Sequence, residues 1–260
     1  MTRALTVTIL MLCTAGCKKE PRAKPPPPAA PKPQPQGAAA PRAEPDRHHR
    51  QFDSAGAALK QLLAETNPRV LGLGEFHQTR GKGKVRSATR RFTEAMVPVL
   101  GPRASDLVVE TWITEGKCGK QEKKVTRGVA KATERPEHTE DEIVTMLKRA
   151  KGLGVRPHIL KAGCKDYEKL LGKDGKVDYV QLLGFIGRSL QAKAELILAY
   201  RARLAKKAKR KAQKKIPRDI VLIYGGALHN DLYPYADLTE LPFGQAPTKH
   251  TNGRSLDLDL

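Results

Sequence analysis

The sequence predicts an α/β domain with a mainly parallel sheet, flanking helices and a helical insertion, preceded by a disordered proline-rich tether. Three observations lead there. Short apolar runs bounded by turn residues alternate with stretches of helical periodicity, the pattern of strand–helix–strand units. Two of these runs close on Gly-x-x-His: Val70 to Leu73 feeds Gly74-Glu75-Phe76-His77, and Ile220 to Tyr224 feeds Gly225-Gly226-Ala227-Leu228-His229. Proline crowds into residues 18–50, where almost nothing is apolar.

In order, a helix opens near Ser54, with Ala57, Ala58, Leu59, Leu62 and Leu63 on one face, and Pro68 ends it. The first strand runs from Arg69 to Leu73. Residues 78–84 form a basic, glycine-bearing loop, and Val85, Phe92, Met96 and Val99 recur at helical spacing as a crossover helix. Asp106 to Glu110 reads as a second strand. Residues 113–138 are polar without a clear period and read as an excursion over the sheet edge. Thr139 with Glu142 has the spacing of a capping box, and Gly152 and Gly154 stop the helix that follows. Val155 to Leu160 is a third strand. Val177 to about residue 215 is one long helix or a broken pair, and Ile220 to Tyr224 is the last clear strand.

Residues 1–16 have the form of an export signal: Arg3, an apolar stretch from Ala4 to Cys13 too short to span a bilayer, then Thr14-Ala15-Gly16. Small residues directly before Cys17 resemble a bacterial lipobox. That resemblance implies a lipid on Cys17, and Lys18 after it implies an outer-membrane location facing the periplasm. Residues 17–50 are then a linker, and residues 51–260 are the folded domain. In an oxidising compartment the remaining cysteines, Cys118 and Cys164, are expected to form one disulfide.

The net charge is +21, from 48 basic and 27 acidic residues, a surface that attracts polyanions such as anionic envelope lipids. Aromatic content is only 5% and no aromatic-and-basic motif suited to stacking bases is present, so no specific nucleic-acid partner is expected. Residues 201–218 hold ten Lys or Arg and no acid, a solvated helix end or a membrane-surface contact.

Right-handed crossovers place the C-terminal ends of parallel strands on one edge, where ligand crevices form. Glu75, His77, Glu110 and His229 fall on that edge. Two carboxylates and two imidazoles there permit metal ligation, with Glu75, His77 and His229 holding a divalent ion, or metal-free acid–base work with a histidine as base and a glutamate orienting it. The glycines would let the backbone turn sharply and approach a ligand. His158 lies inside a strand pattern and is expected to pack. Gly72-x-Gly74 is no dinucleotide fingerprint, because His77 takes the place of the third glycine, and no Walker loop or Gly-x-Ser-x-Gly elbow occurs.

Gly74-Glu75-x-His77 after a first strand, Glu110 ending the second and a late Gly226-x-x-His229 resemble the ChaN-like and erythromycin-esterase-like superfamily, which includes the TraB and TIKI proteins. The resemblance spans about residues 55–235 and implies a parallel α/β sheet with helical insertions. The activities it implies are haem binding, ester hydrolysis or metal-dependent peptide cleavage. Its esterase-like members use a basic residue soon after the first motif, for which Arg80, Lys84 and Arg86 are candidates. The expectation is therefore a lipid-anchored hydrolase of an ester or peptide bond in a small molecule or peptide, with a possible divalent metal. The alternatives are a haem or metal carrier, with Tyr224 and Tyr233 as phenolate ligands, and a basic envelope-binding module.

Overall fold

A computed structural model describes residues 50–79, 85–210, 218–231 and 245–260. Five parallel strands form one sheet in the order β3-β2-β4-β1-β5: β1 (Val70–Glu75), β2 (Ala104–Glu115), β3 (Arg156–Gly163), β4 (Ile220–Gly226) and β5 (Ser255–Asp259). β1 and β4 are buried along their whole length, which is why both read as near-continuous Val, Leu, Ile and Gly instead of alternating. The tether, Cys17, Arg80, Lys84 and Tyr233 lie outside the described residues. Arg50–Leu260 forms one compact unit.

The helices in chain order are α1 (Ala55–Thr66), α2 (Ala88–Arg91), α3 (Val97–Leu100), α4 (Gly119–Thr133), α5 (Thr139–Gly152), α6 (Cys164–Lys169), α7 (Tyr179–Arg210), α8 (Ala227–Asn230) and α9 (Gln245–His250). α1 starts where Ser54 accepts the Ala57 N–H at 3.1 Å and stops at Asn67, which takes the left-handed conformation. A π-helical turn, Phe92–Met96, joins α2 to α3 in one continuous stretch. Ser87 caps that stretch, so exposed Val85 precedes it and does not belong to its apolar face.

Each face of the sheet has its own apolar layer. Val70, Val108, Val221 and Ile223 cluster with Leu182, Ile186 and Leu190 of α7. Leu71, Leu73, Leu107 and Leu222 cluster with Leu59, Leu63, Phe92 and Met146 from α1, the π turn and α5. The long helix is thus unbroken for 32 residues because an apolar stripe holds it to the sheet, whatever its charged end prefers.

Four expectations are corrected. The polar excursion is largely α4, a 15-residue helix with one buried residue, Val125, whose narrow apolar face is outnumbered by charged residues. The capping box does not form: His138 is the N-cap, and the Glu142 carboxylate instead accepts the Ser87 hydroxyl at 2.5 Å. Ser255-Leu256-Asp257-Leu258-Asp259 is a fifth strand, hidden by acids on one of its faces. None of Gly72, Gly74, Gly225 and Gly226 has a positive φ, so these glycines do not turn the chain; they make room beside it. Cys118 and Cys164 are bonded, with Cα atoms 4.9 Å apart, which ties the start of α4 to the start of α6. Closing a loop 46 residues long in sequence is worth about 3–4 kcal/mol in the chain-entropy account.

Candidate functional site

The central strands β2, β4 and β1 end side by side, and the acids and imidazoles singled out from the sequence meet there. Glu75 is the last residue of β1, only 7% exposed, and in register with Gly226 of β4. Its Oε1 lies 2.6 Å from Nδ1 of His77. Its Oε2 accepts the hydroxyls of Thr89 at 2.9 Å and Tyr224 at 2.5 Å. Burial alone would raise the Glu75 pKa. The hydrogen bonds from His77 and Tyr224 and the charges of His77 and Arg135 win, and hold it at about 2. The carboxylate is therefore ionised at any physiological pH.

Glu110 approaches from the neighbouring strand. A register irregularity in β2 between Val109 and Trp112 leaves Glu110 out of the ladder. Its Oε2 accepts the Gly226 N–H, and its Oε1 is 3.8 Å from Nε2 of His229, which α8 buries to 2% exposure. A methyl group added at Gly226 would stand 3.2 Å from Nε2 of His77 and 3.3 Å from Oε2 of Glu110. The two pairs, Glu75–His77 and Glu110–His229, thus face one another across a single bare backbone atom. At Gly225 the same carboxylate would stand 2.6 Å from an added methyl, so the Gly225-Gly226 pair is the space that admits Glu110.

The sequence did not point to Arg135 or Thr89. Arg135 follows α4 and places Nη2 2.9 Å from Nδ1 and 2.7 Å from Nε2 of His77, and 3.7 Å from Glu75. It covers the imidazole. Arg86, one of the expected basic residues, pairs instead with Glu94 on an exposed face. The cleft bounded by Glu75, His77, Thr89, Arg135 and Glu142 has ≈10 Å³ of free space, about one water. A larger open cavity of ≈490 Å³ lies over the first turns of α4, beside Lys117, Lys123 and Arg127.

The donor set does not fit a metal ion as arranged. Both oxygens of Glu75 and Nδ1 of His77 are engaged by neighbours, a guanidinium stands against the imidazole, and no group of three His, Cys, Asp or Glu side chains among the described residues is placed to hold an ion. Tyr224 departs from the expected cofactor ligand. It is buried, stacks on Phe92 with ring centroids 4.9 Å apart, and spends its hydroxyl on Glu75. Burial and the adjacent carboxylate push its pKa far above the usual phenol value, the opposite of what a phenolate ligand needs. His158 is half-buried and sits 2.8 Å from Asp106, well down β2 from this edge. No family model, curated protein or solved structure matches the chain.

Proposed function

We propose that the domain is a hydrolase of an ester or peptide bond that works by acid–base chemistry at the Glu75–His77 pair, and that a lipid on Cys17 holds it at the bacterial envelope. The observation that carries the reading is the meeting of His77 Nε2 and Glu110 Oε2 over Gly226, with Glu75 locked as an anion behind His77. Ionised Glu75 accepts the Nδ1 proton of His77, which fixes the tautomer with a basic Nε2. Nε2 takes a proton from water as the water oxygen bonds to the substrate carbonyl carbon. Glu110, anchored by the Gly226 N–H and steadied by His229, orients that water from the other side. Negative charge gathers on the carbonyl oxygen, and the Arg135 guanidinium is the cation within reach of the same imidazole. The proton on Nε2 then passes to the leaving oxygen or nitrogen as its bond to carbon breaks. Arg135 must leave His77 for substrate to enter. The resemblance of the three short motifs to the esterase-like superfamily supports the same reading, and the lipobox-like Thr14 to Cys17 supports the location.

The test is turnover of a panel of nitrophenyl esters and fluorogenic peptides by wild type, His77→Ala and Glu110→Gln. Loss of about 10²–10⁴-fold in kcat/KM for His77→Ala is expected, the usual worth of a positioned base. Equal turnover by His77→Ala, or none by the wild type on either panel, overturns the hydrolase. A Soret band on adding haem, lost in His77→Ala, would return the carrier reading.

A further inference from the structure

On the opposite face of β1 from the Glu75 side chain, the glycines of the first motif open a second polar site. Asp257 and Asp259 of β5 are in register with Gly72 and Gly74 of β1. The Oδ1 of Asp259 stands 2.5 Å from where a Cβ on Gly74 would lie. The Oδ1 atoms of Asp257 and Asn230 each stand 3.2 Å from the corresponding point over Gly72, so both aim into one hollow. Asn230, the last residue of α8, is 1% exposed, yet neither polar atom of its carboxamide has a hydrogen-bond partner among the described residues. The Oδ1 of Asp257 is likewise without a partner among them. Burial and the charges of Asp259 and Asp231 raise the Asp257 pKa to about 7. The buried Asn230 carboxamide and the Oδ1 of half-buried Asp257 face this hollow without a partner among the described residues, with the exposed Asp259 carboxylate beside them, and a buried polar group costs free energy until something answers it.

We propose that Asn230, Asp257 and Asp259 form a binding site for a hard divalent cation of the calcium class. The donors are all oxygen, with no imidazole or thiolate, which selects calcium or magnesium over zinc or copper. One carboxamide and two carboxylates from a short helix and an edge strand suit the irregular coordination calcium accepts better than the regular octahedron magnesium demands. The ion would tie β5, which among the described strands pairs with β1 alone, to α8, which carries His229. It does not depend on the hydrolase reading, since the hydrogen bonds of Glu75 and His77 go to other residues.

The experiment is thermal unfolding of the full chain, stripped with chelator and then given 10 mM CaCl₂, MgCl₂, or NaCl of matched ionic strength. A site of about 10⁻⁴–10⁻³ M affinity should raise Tm by about 3–10 °C in calcium, less in magnesium and not in NaCl. Asp257→Asn and Asp259→Asn should each lose the rise. Asp257→Asn should melt no lower than wild type in chelator, which shows that it folds. His77→Ala should keep the full calcium response. No rise in wild type, an equal rise in NaCl, an equal rise in the Asp257→Asn/Asp259→Asn double variant, or loss of the rise in His77→Ala overturns the proposal.

Discussion

Replacing Glu75 with glutamine keeps the size of the side chain and removes its charge, and the pH dependence of the effect follows from the surroundings. Glu75 ionises at about 2 in the fold and at 4.5 in an exposed reference. A carboxyl whose pKa is depressed by folding adds stability above its unfolded pKa and loses it as pH falls toward the folded value. The difference corresponds to about 3 kcal/mol at pH 7. At pH 3.5, one unit below the unfolded value, about 1.4 kcal/mol of that is already gone. Glu75 is buried, so solvent screening takes little from the figure. Urea unfolding of wild type and Glu75→Gln at pH 7, 5, 4 and 3.5 should show a gap near 3 kcal/mol that is flat to pH 5 and narrows below it. A gap that is absent, or that stays constant down to pH 3.5, would refute the claim that His77, Tyr224 and Arg135 together outweigh burial.

Other outcomes follow from single contacts. Tyr224→Phe removes one hydroxyl from Glu75 and should lower stability by about 1–3 kcal/mol, the range for a hydrogen bond to a charged group; by raising the folded pKa of Glu75 it should also shrink the Glu75→Gln gap at pH 7 and complete its closure at a higher pH. Gly74→Ala should cost about 1–3 kcal/mol by overpacking, because its methyl would meet Asp259 at 2.5 Å and the Ala227 Cα at 2.8 Å; adding Asp259→Ala should restore only part, since the Ala227 backbone remains, and chemical denaturation reads both. Cys118→Ala/Cys164→Ala should unfold about 3–4 kcal/mol more easily than the oxidised wild type, and a reducing agent should bring the wild type to the same midpoint.

The strands with long apolar runs could be read from the sequence because both of their faces are buried: β1 and β4 carry no polar residue until their ends, and those ends are the site. β5 could not be read this way, since Asp257 and Asp259 face a polar hollow where a strand pattern calls for apolar side chains. α4 escaped because its apolar face is narrow, with a single buried valine set among many charged residues. The meeting of Glu75, His77, Glu110 and His229 was legible because a parallel sheet gathers its strand ends whatever lies between them. Arg135 was not, because it stands in a loop whose path depends on α4 and α5. The signal closest to finding it was the position of Arg135-Pro136, between two helices and ahead of the acidic first turn of α5. Burial and hydrogen bonding, which the sequence does not display, turned Tyr224 from an expected ligand into a donor that fixes Glu75.

The π turn between α2 and α3 has a consequence for how this chain tolerates change. It adds one residue to a helical circuit, so the side chains before it and those after it are offset by about 100° from the alignment of an uninterrupted α-helix. Thr89, upstream, is thereby directed at Glu75, while Val97 and Leu100, downstream, stay in the apolar layer. Deleting a single residue from Phe92–Met96 would merge the two segments into one regular spiral. Either the threonine would swing away from the carboxylate or the valine and leucine would swing out of the oil, so this short stretch has a length that cannot drift even where its individual letters can.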